Sequence, residues 1–94
     1  MDNVIILKFD KTLTGLAGYD FGTETFEKQV EGKIDYMHKI EIVFPDNIER
    51  IASSFIQGFF EKFIERIGVS GIEQQIDIKS SKKDMKETII KNLM

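Results

Sequence analysis

The chain has 94 residues, 41% of them hydrophobic, eight phenylalanines, no cysteine and a net charge of −3. That suffices for a single domain over 1–94 with one thin core, which makes a homodimer or docking on a protein partner a ready way to bury more surface. The acidic balance argues against nucleic acid as a partner, and the lack of cysteine excludes disulfides and thiolate metal sites.

Residues 4–9 (Val4, Ile5, Ile6, Leu7, Lys8, Phe9) are a run of β-branched and aromatic side chains and predict a first strand. Residues 10–22 scatter Gly15, Gly18 and Gly22 among small and aromatic residues, which predicts a flexible connector with a short strand around 12–16. A helix is expected from Thr23, which caps it, with Glu24 and Glu27 in the first turn and Phe26 and Val30 on its apolar stripe. Residues 34–38 connect to a strand over 39–44, where Ile40, Ile42 and Phe44 alternate with Lys39, Glu41 and Val43 until Pro45 and Asp46 stop it.

Ile51, Phe55, Phe59, Phe63 and Ile67 then recur at every fourth position, with Ile56, Phe60 and Ile64 beside them, the strongest helix pattern in the chain. Gly68 and Gly71 are expected to end that helix. Alternation through Ile72, Gln74, Ile76 and Ile78 predicts a strand over 72–80. A final helix follows, capped by Ser81 with Asp84 at its third position, and with Met85, Ile89, Ile90 and Leu93 facing inward. The alternating order predicts an α/β fold, a small sheet of about four mostly parallel strands with about three helices packed on it.

Ser53 and Ser54 stand at the junction between strand and long helix. One reading makes one of them the helix N-cap, accepting from the free N–H groups of the first turn. The other takes a hydroxyl there as a phosphate acceptor, because the helix dipole and free amides favour the added charge. Asp46, Asn47 and Glu49, just upstream, read as a turn. They also lie at the C-terminal edge of a central strand, where open α/β sheets bind ligands, so the candidate partner or ligand loop comprises Asp46, Asn47, Glu49, Ser53 and Ser54.

His38 is the only histidine and has no companions at metal-binding spacing, so neither a metal nor a cofactor is expected. The glycines of 15–22 match neither a P-loop nor a dinucleotide fingerprint. No acid–base pair or nucleophile set can be assembled, so no catalytic residue and no enzymatic activity are expected. Lys79, Lys82, Lys83, Lys86 and Lys91 outnumber Asp84 and Glu87 in residues 79–94 and read as solvated helix charges or a local basic patch. The N-terminus lacks the basic region of a signal peptide, and no apolar run reaches the roughly 20 residues of a membrane span. A cytoplasmic protein without membrane association is expected.

Ile40-Glu41-Ile42-Val43-Phe44, a short loop, Ile51-Ala52-Ser53-Ser54-Phe55 leading a long helix, then a further strand and helix together resemble the STAS superfamily over about residues 12–93. Within it the chain is most similar to the STAS-like family of prokaryotic domains, related to anti-sigma-factor antagonists. The resemblance implies a non-enzymatic regulatory module that binds a protein, either a histidine-kinase-like ATPase or an anti-sigma factor. In the antagonists the matching loop reads Asp-Ser-Ser-Gly, and phosphorylation of its first serine breaks the complex. The resemblance therefore implies Ser53 as phosphoacceptor and Ser54 as its neighbour. Ala52 stands where the antagonists have aspartate, and Phe55 where they have glycine. From the residues alone, the second expectation is a small-ligand or nucleotide sensor using strand ends and helix starts around 46–54 and at Ser80 and Ser81.

Overall fold

In the computed structural model, which describes residues 3–94, strands and helices alternate along the chain. They are β1 (Val4–Ile6), β2 (Gly15–Leu16), α1 (Tyr19–Gln29), β3 (Ile40–Val43), β4 (Arg50–Ile51), α2 (Ser53–Gln75), β5 (Ile76–Lys79) and α3 (Met85–Leu93). The main sheet has the order β1-β3-β5, with both pairings parallel, and β2 pairs with β4 in a second parallel ribbon. The fold is thus α/β, with three helices and small parallel sheets of three and two strands among the described residues. Parallel neighbours need crossover connections, and α1 and α2 lie in the two crossovers of the main sheet.

Side-chain alternation divides the main sheet into two unlike faces. Ile5, Ile42 and Ile78 are in register on one face, as are Ile40 and Ile76, and this face joins the core. Its partners come from the helices: Phe26 of α1, Phe55, Ile56, Phe59, Phe60 and Phe63 of α2, and Met85, Ile89 and Ile90 of α3. Each such side chain contributes about 1.5–3 kcal/mol by leaving water. The aromatic rings meet mainly edge to face, as for Phe26 and Phe63 with centroids 5.2 Å apart. The opposite face carries Val4, Ile6, Glu41, Val43, Asp77 and Lys79 and, among the described residues, has no helix over it.

Several boundaries differ from those read in the sequence, each for a physical reason. α1 begins at Tyr19 rather than Thr23, so residues 15–22 are a short strand, a two-residue link and the first helical turn instead of a flexible connector. Thr23 lies inside the helix, its hydroxyl donating to the Asp20 carbonyl at 3.0 Å. Ile51 keeps the every-fourth spacing with Phe55 but belongs to β4, paired with Leu16. Ile72 is buried on a helix, not a strand. α2 breaks its regular path at Gly68 (φ 72, ψ 171) and then resumes to Gln75, leaving β5 to start at Ile76. α3 begins at Met85 behind Asp84, and Ser81 donates to the Asp46 carbonyl at 3.5 Å instead of capping.

Candidate functional site

The junction 44–54 is organised by a second segment of chain, residues 10–18, laid alongside it. Pro45 turns the backbone, its carbonyl accepting from the Ile48 N–H at 3.1 Å, and Ile48 is fully buried beneath the turn. Asn47 then ties the two segments together. Its Nδ2 donates to the carbonyls of Leu13 at 2.7 Å and Asp10 at 3.3 Å. The Glu49 and Ala52 N–H groups donate to the carbonyls of Thr14 and Leu16, each at 2.7 Å. Asn47 is therefore a structural clamp, and Asp46 and Glu49 flank it with exposed carboxylates.

The two serines part company at the start of α2. Neither caps the helix: Ala52 occupies the N-cap position, and among the described residues there is no side-chain cap bond. The Ser54 hydroxyl oxygen instead accepts the Gly18 N–H at 2.9 Å, and Gly18 itself is the N-cap residue of α1. Ser54 is partly buried by this contact, whereas Ser53 is exposed. No acidic residue stands in the first turn of α2, so the charge environment of Ser53 is set by backbone amides and by side chains from other elements.

Those other elements form an open cleft of about 770 Å³ beside the junction. Leu16, Ile51 and Met85 supply its apolar lining, and Ala52 reaches its wall. Arg50, Lys82 and Lys83 bring positive charge to it, against Glu49 and Asp84. None of these five charged groups makes an ion pair among the described residues. The cleft sits where β5 ends and α2 and α3 begin, the edge at which open parallel sheets take ligands. The sequence alone points to Asp46, Asn47, Glu49, Ser53 and Ser54 for this site but not to Arg50, Lys82 or Lys83. The lysine excess of residues 79–94 was the visible signal. What it lacked was the β2–β4 ribbon that places Arg50 opposite those lysines.

Chemistry elsewhere is sparse. Among the described residues no three of His, Cys, Asp or Glu gather at a metal-holding distance. His38 is exposed and its Nδ1 hydrogen-bonds Asp35 at 2.9 Å. Tyr19 donates its phenol proton to Glu61, and this bond, with the carboxylate's charge, raises the phenol above its ordinary pKa. No helix among the described residues is long and apolar enough to cross a membrane. Comparison with protein-family models, curated proteins and solved structures returned no match.

Proposed function

We propose that the chain is a non-enzymatic, cytoplasmic regulatory module of STAS-like type, which docks on a protein partner through the loop 45–54 and accepts a phosphate on Ser53. The partner class that the resemblance implies is a histidine-kinase-like ATPase or an anti-sigma factor. One observation supports the reading above others. Of two adjacent serines, Ser54 is committed to Gly18, while Ser53 is exposed on a first turn free of carboxylates. A phosphoryl group there adds a charge of about −2 beside unbonded amides. It would shift the mixed charge of the adjoining surface, which already carries Asp46 and Glu49, to net negative and oppose a partner that had docked on the neutral form.

Incubating the protein with ATP and a histidine-kinase-like ATPase encoded beside it, then mapping the modified residue by mass spectrometry, tests this. Label on wild type but not on Ser53→Ala supports the switch. Equal labelling of the two, or none, discards it.

The cleft favours a second reading, a sensor of small anionic ligands held between Arg50, Lys82 and Lys83 over an apolar floor. A thermal-shift series with nucleotides and phosphate esters separates the two, since a true ligand raises stability once its concentration exceeds Kd. A flat series removes the sensor reading.

A further inference from the structure

The proposed function leaves the helix-free face of the β1-β3-β5 sheet unused. Sheets made only of parallel strands are nearly always covered on both faces. Among the described residues one face here lies open, with Val4 and Ile6 at 45% and 64% exposure. The face consists of two in-register rows, Val4-Glu41-Asp77 and Ile6-Val43-Lys79. It is therefore apolar along the β1 edge and charged along the β5 edge. Glu41 and Asp77 are direct cross-strand neighbours, a like-charge pairing that is unfavourable on its own. Neither they nor Lys79 makes an ion pair among the described residues, and the exposed Lys39, two positions before Glu41, makes none either.

We propose that this face packs against the same face of a second copy of the chain, about a two-fold axis running across the strands. Two in-plane axes bring such sheets face to face, and charge decides between them. An axis along the strands lays β1 on β5 of the second copy, setting Val4 and Ile6 against Asp77 and Lys79. An axis across the strands keeps β1 on β1 and β5 on β5 while reversing their direction. Val4 then meets Ile6 of the second copy, and Asp77 meets Lys79 of the second copy, each contact occurring twice by symmetry. The same Lys79 falls diagonally opposite Glu41 and so answers the paired carboxylates. Glu41 itself faces Val43. With the sheets about 10 Å apart and their strands within about 30°, the apolar edges and the charged edges each find their complement. A face three strands wide lies at the small end of specific interfaces, and the dimer is expected to be weak, with Kd on the order of 100 μM.

Sedimentation velocity on the full chain from about 10 μM to about 1 mM, spanning the expected Kd, tests the interface. Wild type is expected to pass from monomer to dimer across that range, and Ile6→Glu to stay monomeric. Asp77→Lys sets like charges face to face and is expected to weaken association by about tenfold. The double change Asp77→Lys with Lys79→Asp restores the pairing and returns association to near the wild-type value. Asp77 and Lys79 are both exposed, so the charge variants keep the fold, and their circular-dichroism melts check it. A wild-type chain that stays monomeric throughout overturns the proposal. So does a folded double variant that associates no better than Asp77→Lys, or association unchanged in Ile6→Glu.

Discussion

Gly22 of α1 and Gly58 of α2 give each other the clearance in which the two helices cross. A Cβ on Gly22 would lie 2.4 Å from the Phe55 carbonyl oxygen, and one on Gly58 would lie 2.2 Å from the Tyr19 carbonyl oxygen. Both obstacles are backbone atoms, which cannot swing aside, so an added methyl forces the helices apart and loosens the Phe26–Phe63 contact between them. Gly22→Ala and Gly58→Ala are each expected to destabilise by about 1–3 kcal/mol, although alanine is the better helix former. Gly15→Ala, whose new Cβ would meet nothing nearer than 3.8 Å, is the control and should fall within about 0.5 kcal/mol of wild type. Urea denaturation ranks the three, and a neutral Gly58→Ala would contradict the close crossing.

The two serines should separate in the same assay. Ser54→Ala removes the acceptor of the Gly18 N–H and is expected to lower stability by about 1 kcal/mol. Ser53→Ala, at an exposed position, is expected to stay within about 0.5 kcal/mol of wild type. Equal losses would mean that Ser53 also has a structural role, and would weaken its case as a free phosphoacceptor.

Gly68 adopts φ 72 and ψ 171, a backbone region that side-chain-bearing residues rarely occupy. Nothing among the described residues lies within 4 Å of where its Cβ would stand, so the strain of Gly68→Ala is purely conformational. The substitution is expected to reduce stability by about 1–3 kcal/mol. Hydrogen exchange should place the loss around Ile72 and β5, which the bend delivers to the sheet. An unchanged exchange pattern there would mean that the bend is not what seats β5.

Acid should loosen two turns before it touches the core. The Asp35 carboxylate accepts the Met37 N–H at 2.8 Å and hydrogen-bonds His38 Nδ1 at 2.9 Å, which lowers its pKa below the ordinary aspartate value. The Thr12 hydroxyl, at 2.7 Å, and the Thr12 N–H lower Asp10 in the same way. A depressed folded pKa stabilises fully above the unfolded value, and that contribution disappears as pH falls through the folded one. Carboxyl chemical shifts should therefore titrate below those of the unfolded chain at both residues. Asp35→Asn should flatten the acid limb of the stability curve. Midpoints at the ordinary aspartate value would refute the turn bonds.

The long helix and the central strand were legible in the sequence because their apolar spacing is local and redundant. Where the reading failed, two periodicities coincided or the deciding partner was far away. Ile51 satisfies the helical spacing to Phe55, yet its backbone pairs with Leu16. Ile72 and Ile76 are separated by four, which fits a helix turn as well as alternate strand positions; the helix takes Ile72, and the strand begins only at Ile76. Ser54 resembles a cap by every local criterion, but its hydrogen-bond partner lies 36 residues upstream. The cleft was hidden for the same reason, since Arg50 meets Lys82 and Lys83 only through the fold. The glycines of 15–22 suggested looseness, whereas Gly22 serves closeness.

The bond from Gly18 to Ser54 also decides how a disturbance at the junction would spread. It fastens the starting points of two helices into one corner, so the residue after Ser53 answers to α1 as much as to α2. Whatever grips or charges Ser53 pulls on that corner first. The earliest response would then surface around Gly18 and Tyr19, a helix and two strands away in sequence, before anything travels along the long helix itself.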